Sequence, residues 1–355
     1  MPSAWITHVG HAMPGPAVAQ REFATWMEPR LVPGTSVARW RRFSERVGVA
    51  FRHSVLDVFG AEGQAFWPIE GREPPGTAER SRMFDRRALP LAVSAVSAAG
   101  IRDLSGISHV VVATCTGAIA PGLDIQLVEA LGLARSVRRT VIGFMGCYAA
   151  IPALRVARDA CRADPSAKVL VVCCELSSLH LQAGPSDDAL LAACLFGDGA
   201  SAALVAGGDA PGPAAVRIVG DASALIPDTS AHMTWYAGDR GFVLGLSPAI
   251  TSSLSRDLGR LCADMLPPGV APSQARWIIH PGGPRIVDVA AKTIGIDESH
   301  VAASRRALNQ GGNRSSGTVL AILADELTRP WSGPMGMFAF GPGLTAEALL
   351  LERLP

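Results

Sequence analysis

Residues 140–150 read TVIGFMGCYAA, and the change of pattern inside that stretch decides the fold. Thr140, Val141 and Ile142 open an apolar, β-branched run of the kind that fills a buried strand. Gly143 and Gly146 then allow a sharp turn. From Tyr148 onward the spacing is helical, with Ile151, Leu154, Val156 and Ala157 supplying an apolar face and Arg155, Arg158, Asp159 and Arg162 a wet one. A strand passing into a helix through a glycine-flanked turn predicts a βα unit, with Cys147 presented at the carboxyl edge of a sheet. A thiol placed there meets free backbone N–H groups and the positive end of the helix dipole, which favour thiolate. Pro152 is expected in the second turn of this helix, where it removes a backbone bond.

The same pattern recurs outward along the chain. Short β-branched or apolar runs stand at 109–115 (HVVVATC), 168–174 (KVLVVCC), 200–207 (ASAALVAG), 277–280 (WIIH) and 335–343 (MGMFAFGPG). Helical patterns separate them, for example over 124–133 and 148–163. This alternation predicts α/β architecture with βαβ units and a mostly parallel sheet. The Gly/Pro-rich seam GGDAPGPAA at 207–215 is the expected boundary between a first half, 1–210, and a second, 211–355. The first hundred residues show the weakest periodicity, and no short repeat is visible.

Composition narrows the class. The chain has 355 residues, 48% of them hydrophobic and 18% charged, which suits a large buried sheet under Ala-rich helices and excludes a disordered, collagen-like or coiled-coil chain. Lys plus Arg number 32 against 31 Asp plus Glu, so no net field selects nucleic acid or an anionic membrane. No apolar stretch is long enough to span a bilayer and no secretory leader is evident, so the expected setting is cytoplasmic. Seven cysteines without a C-x-x-C pair indicate neither a zinc site nor a redox dithiol.

Two further residues share the setting of Cys147. His280 closes the apolar strand RWIIH and precedes Pro281-Gly282-Gly283-Pro284, which places an imidazole at the same sheet edge. Asn313 lies in the turn GGNRSSG, 311–317, ahead of the apolar helix 319–327; it is either a cap or an amide donor aimed at a developing oxyanion. Arg39, Arg42 and Arg46 fall on one face of a helix in ARWRRFSER, either a solvated basic stripe or a grip for phosphates.

The order Cys, His, Asn and five motifs in sequence resemble the type III polyketide synthase (chalcone synthase-like) family of the thiolase superfamily. The motifs are GFMGCYAA at 143–150, LFGDGASAALV at 195–205, IIHPGGPRIVD at 278–288, GGNRSSG at 311–317 and FGPGLTAE at 340–347. The resemblance implies a thiolase-like αβαβα fold of two stacked βαβαβ halves and a homodimer. It implies Cys147 as nucleophile, His280 as general base and oxyanion donor, and Asn313 as second oxyanion donor. Phe196 and Phe242 would be gatekeepers between a coenzyme A tunnel and the cavity. Cys115, His180 and Ser315 would touch substrate, and Arg39, Arg42 and Arg46 would bind coenzyme A phosphates. His180 is the least family-like of these: it either lines the cavity, free to bond a polyketide carbonyl, or packs behind the wall on backbone.

The activity so implied is loading of an acyl-CoA starter on Cys147, extension by decarboxylative Claisen condensation with malonyl-CoA, and cyclisation to a pyrone, resorcinol or other phenolic. No metal or redox cofactor is implied, only coenzyme A thioesters as substrates. A single-round ketoacyl synthase III-like enzyme is the alternative within the superfamily. Outside it stand a catalytically inactive partner subunit and a cysteine hydrolase, the latter disfavoured by the absence of a C-G-S-C-W signature.

Overall fold

In the computed structural model, residues 2–69, 73–210, 212 and 215–354 are described. The expected boundary at 210/211 therefore falls partly outside the described residues. The chain runs through β1 (Ala4–Ala12), β2 (Val18–Ala19), α1 (Gln20–Met27), α2 (Val37–Arg46), β3 (Phe51–Arg52), α3 (Ala61–Phe66) and α4 (Thr77–Ala98). It continues with β4 (His109–Thr114), α5 (Leu123–Ala130), β5 (Arg138–Gly143), α6 (Ala150–Ala163), β6 (Lys168–Leu176), α7 (Asp187–Leu195) and β7 (Asp198–Gly207). A second run follows: β8 (Val216–Leu225), β9 (Met233–Gly238), β10 (Gly241–Leu246), α8 (Ile250–Met265), β11 (Arg276–Ile279), α9 (Pro284–Ile294), α10 (Glu298–Gly311), α11 (Thr318–Leu327), β12 (Gly333–Gly341) and β13 (Thr345–Arg353).

Nine strands form one sheet in the order β11-β12-β13-β8-β1-β7-β6-β4-β5, and β9 and β10 pair as a separate hairpin. The sheet is mixed, not mostly parallel as the strand–helix alternation suggested. Only β4–β5, β4–β6 and β11–β12 run parallel. Two of the antiparallel pairs have a local cause. β12 reaches β13 through Pro342, Gly343 and Leu344, a connection that permits only an antiparallel return. Between β6 and β7, α7 packs on α2 and β10 instead of crossing the sheet, so β7 comes back antiparallel to β6.

Helices and strands stack in five layers. α4 and α5 cover the outer face of the first strands, packing Phe84 and Leu127 against Leu170. α8 and α9 cover the outer face of the second set, with Leu254 and Leu258 near Trp277. Between the two sets lie α6 and α11, which touch strands of both and share one core through Ile151, Leu154, Leu320 and Leu323. This is the thiolase-like arrangement.

The central position of α6 changes how its faces read. Arg158, assigned by spacing to the wet face, is buried and paired with Asp221 on β8, while Arg155 reaches Asp221 at 2.6 Å. Val156, assigned to the apolar face, is exposed. α6 also begins later than expected, at Ala150, so Pro152 sits in its first turn. The N–H groups there have no helical acceptor, so the proline removes no bond. Among the described residues, no helix is long and apolar enough to cross a membrane, and no cluster of three His, Cys, Asp or Glu side chains is placed to hold a metal.

Candidate active site

β5 stops at Gly143, and the chain turns through Phe144 at φ 56° and Gly146 at φ 82° into a short 3₁₀ turn, Gly146–Tyr148. Gly146 is required twice over: its φ is left-handed, and a Cβ there would lie 2.5 Å from Pro342 Cδ. The turn sets Cys147 just ahead of α6, on the edge the sequence pattern indicated. The Gly146 N–H donates to Cys115 Sγ at 2.9 Å, which joins the end of β4 to the same turn.

Asn313 arrives from the other side, between α10 and α11. Its main chain pairs like a strand with the residues around Phe196: Asn313 N–H donates to the Leu195 carbonyl at 2.9 Å, and Gly197 N–H donates to the Asn313 carbonyl at 3.0 Å. The Ser315 N–H donates to Asn313 Oδ1 at 2.8 Å. The amide lies across the thiol, with Nδ2 3.7 Å from Cys147 Sγ and Oδ1 3.9 Å from it. Ser315 itself is held at a left-handed φ of 46°.

His280 follows β11 directly, its N–H donating to the Phe338 carbonyl at 2.8 Å. The ring is buried, lines the same cavity as Cys147 and Asn313, and has no hydrogen-bond partner on either nitrogen. Burial drives its pKa down to about 3. Cys147 keeps part of its surface open to the cavity, yet protein crowds it closely enough that burial pushes the thiol up to about 11, with Ser315 and Asn313 hydrogen bonds opposing. Both shifts favour the uncharged forms at neutral pH, and no hydrogen bond joins the two groups. This differs from the thiolate expected from the helix terminus alone: desolvation outweighs the dipole here.

Beneath the site lies Glu175, a fully buried carboxylate not singled out from the sequence. It accepts from Ser316 Oγ at 2.5 Å, Thr116 Oγ1 at 2.7 Å and the Cys115 N–H at 2.9 Å. Burial raises its pKa and these donors oppose the rise. Glu175 thus ties the end of β4 to the turn that follows Asn313. A lone Glu after six apolar residues of a buried strand, KVLVVCCE, was the available signal.

The cavity has a volume of about 550 Å³. It brings together Cys147, His280, Asn313, Cys115, Ser315 and Phe196, with Arg42 and Arg46 at its rim. Arg39 is absent from it: that guanidinium is bonded to Asp187 and to the Pro185 carbonyl. Arg285, exposed on the PGGPR turn after His280, takes a place at the rim that the sequence pattern did not assign.

Phe242 and His180 line a different cavity, of about 560 Å³. Phe242 is not on the Cys147 side; Leu244, next on the same face of β10, lines both spaces. The His180 ring stacks on Phe242 with centroids 4.1 Å apart and 6° between planes. His180 Nδ1 accepts from the Phe242 N–H at 3.1 Å, which leaves Nε2 to donate to the Thr116 carbonyl at 2.8 Å. Both nitrogens are spent on backbone, so the ring offers no free donor to a polyketide carbonyl.

Family models describe the N-terminal domain of chalcone and stilbene synthases over residues 75–210 and their C-terminal domain over 217–355. Among solved structures, PKS-I from the brown alga Ectocarpus siliculosus superposes with a TM-score of 0.90 at 26% identity, covering 100% of this chain and 99% of that one. The C-terminal type III polyketide synthase domain of Steely1, a type I/III hybrid from Dictyostelium, gives 0.91 at 24%, covering 99% and 100%. A mutant of CsyB gives 0.89 at 22%, covering 99% and 100%. The two domain models lie in order along the chain, and the fold is shared end to end: the chain belongs to the chalcone and stilbene synthase family, the type III polyketide synthases, which are condensing acyltransferases.

Proposed function

We propose that Cys147 is the nucleophile that accepts an acyl group from an acyl-CoA starter, with His280 as base and oxyanion donor and Asn313 as the second donor. The observation that carries this reading is the Asn313 amide fixed 3.7 Å from Cys147 Sγ, in a cavity where both nitrogens of His280 are unpartnered. A neutral His280 takes the thiol proton as sulfur attacks the thioester carbonyl; the tetrahedral intermediate collapses and coenzyme A leaves as its thiol. Malonyl-CoA then loses CO₂, and the enolate oxygen is stabilised by His280 and Asn313. The enolate carbon attacks the Cys147 thioester and releases the sulfur, leaving a β-ketoacyl-CoA extended by two carbons. Phe196, Cys115 and Ser315 shape the space around this centre.

The rim supports coenzyme A as the carrier, since Arg42 and Arg46 offer guanidiniums to phosphates. In this reading 1–210 carries the nucleophile and 211–355 carries His280 and Asn313. A homodimer completes it, supported by the sheet-edge strand β5, which ends the strand order and exposes Val141, with Phe144 exposed beside it.

Intact-protein mass spectrometry after incubation with an acyl-CoA tests the assignment. The wild-type chain should gain the acyl mass and Cys147→Ala should not; an adduct persisting in the mutant places the nucleophile elsewhere.

A further inference from the structure

The turn that carries Asn313 leaves the usual backbone regions on both sides. Gly312 before it stands at φ 69°, and Ser315 after it at φ 46°, a conformation costly for serine. Main-chain bonds to Leu195 and Gly197 hold one side of this turn. Arg314, which is buried and does not line the Cys147 cavity, holds the other. Its stem passes between Gly199, at the start of β7, and Gly311, the last residue of α10. A Cβ at Gly199 would lie 2.7 Å from Arg314 Cδ, and one at Gly311 3.3 Å from Nε, so the slot exists only because both are glycine. Beyond the slot, Arg314 Nη1 meets His11 Nδ1 on β1 at 3.4 Å, and His11 Nε2 lies 3.2 Å from Asp325 Oδ1 on α11. A guanidinium only donates, so Nδ1 is the acceptor and the imidazole proton sits on Nε2, donated to Asp325. The Arg314 N–H donates to Thr318 Oγ1 at 3.0 Å, and that hydroxyl donates to the Ser315 carbonyl at 3.0 Å.

Stability alone does not account for this arrangement. Among the described residues, the only side-chain acceptor for the guanidinium is the His11 ring, its Nε–H has no partner, and no carboxylate pairs with it directly. Burial lowers its pKa to about 10, which still leaves it charged at neutral pH. Desolvating a charge for one long bond to a neutral ring costs more than packing an apolar side chain of the same length. What the arrangement supplies is register. A long stem in a narrow slot, with its head fixed at the far end, admits one placement of the residues on either side. Those residues are Asn313 and Ser315, both of which line the Cys147 cavity.

We infer that Arg314 is a positioning residue for the reaction: anchored on His11, it holds the Asn313 amide against Cys147 where a developing oxyanion needs it. This rests on the reading of Asn313 as an oxyanion donor and adds the residue through which that donor is held.

Release of labelled CO₂ from malonyl-CoA by the full chain tests it, in Arg314→Met, Asn313→Ala and the double variant. Arg314→Met fills the slot without the guanidinium. It should lower kcat by about tenfold or more while KM stays within about twofold, because a slightly misplaced donor is felt mainly in the transition state. In the Asn313→Ala background the same substitution should cost less than about threefold, since no amide is left to misplace. Equal losses in the two backgrounds, or a kcat for Arg314→Met within about threefold of wild type, overturn the positioning role. His11→Phe, at a partly exposed position, carries the same comparison if Arg314→Met does not fold. It should repeat the loss of kcat, and His11→Asn, whose amide oxygen falls near the place of Nδ1, should recover most of it. An undiminished kcat in His11→Phe overturns the anchor. Wild-type kcat in Asn313→Ala instead overturns the reading of Asn313 itself.

Discussion

Phe196 and Asn313 face each other in a parallel bridge, 117 positions apart (313 − 196), with the hydrogen bonds joining Asn313 to Leu195 and Gly197 on either side of Phe196. The wall of the cavity and the amide that faces Cys147 are therefore one rigid unit. Gly312 makes the pairing possible. Its φ is 69°, and a Cβ would lie 2.8 Å from the Leu195 carbonyl oxygen, the acceptor of the Asn313 N–H.

Gly312→Ala should accordingly break the bridge before anything else. Strain of this kind costs roughly 1–3 kcal/mol, so the melting temperature should drop by several degrees. Because Asn313 loses its register, kcat for malonyl-CoA decarboxylation should fall more than KM rises. A lowered melting temperature with unchanged kcat would show that the bridge serves folding alone.

Removal of the amide itself is a cleaner probe. Asn313→Ala leaves the bridge intact, since only main-chain groups form it, and should lower decarboxylation by roughly 10²–10³-fold if the donor faces a developing oxyanion. Release of labelled CO₂ from malonyl-CoA measures this without requiring condensation. A loss under threefold would remove Asn313 from the reaction.

The neutral pair predicts a pH dependence for the free protein. With the thiol pushed up to about 11 and His280 down to about 3, alkylation of Cys147 by iodoacetamide should increase steadily from pH 6 to pH 10. A plateau reached by pH 7 would mean that thiolate and imidazolium already exist as an ion pair. The same profile in His280→Ala should keep its shape, because a neutral imidazole lends the sulfur no charge.

At the rim, the three arginines of α2 should separate. Arg42→Ala and Arg46→Ala should raise KM for malonyl-CoA and weaken its salt dependence, with less effect on an N-acetylcysteamine thioester that has no phosphates. Arg39→Ala should affect both substrates alike, since Arg39 is bonded to Asp187 and Pro185 and acts on the seat of α7. Equal behaviour of all three substitutions would put the phosphates elsewhere.

The contrast between these arginines shows where sequence patterns stop. Helical spacing puts Arg39, Arg42 and Arg46 on one face, and α2 does run Val37–Arg46, but nothing in that spacing reveals that Asp187 captures one of them. The strands of the βα units were legible because their apolar runs are unbroken, as in 168–174. β1 was not: in AWITHVGHA the histidines interrupt the run, and its place between β7 and β8 comes from partners some 200 residues away. Cys147, His280 and Asn313 were each marked by a glycine-bearing turn at an element end. Glu175 and Arg158 had no such mark, because what they do depends on layers that form only when the two sets of strands stack.

His180 carries the last prediction, through stability and pH. Burial lowers its pKa to about 4, and at neutral pH the uncharged ring accepts from Phe242 and donates to Thr116. A folded-state value below the unfolded one, near 6.5, means that the unfolded chain binds the extra proton first. The stabilisation is thus present above pH 6.5 and is lost as pH falls toward 4, at a limiting slope of about 1.4 kcal/mol per pH unit. His280 adds to the loss over the same range, whereas Asp198, raised by burial to about 6, works against it: its stabilisation is present below the ordinary carboxylate value and disappears as pH rises through 6. His180→Gln retains one acceptor and one donor but does not titrate. Its stability at pH 7 should lie within about 2 kcal/mol of wild type, the scale of a hydrogen bond rebuilt imperfectly. Between pH 6.5 and 4.5 it should lose distinctly less stability than wild type in urea titrations. Parallel curves for the two proteins would show that His180 does not carry the buried neutral charge state its bonds require.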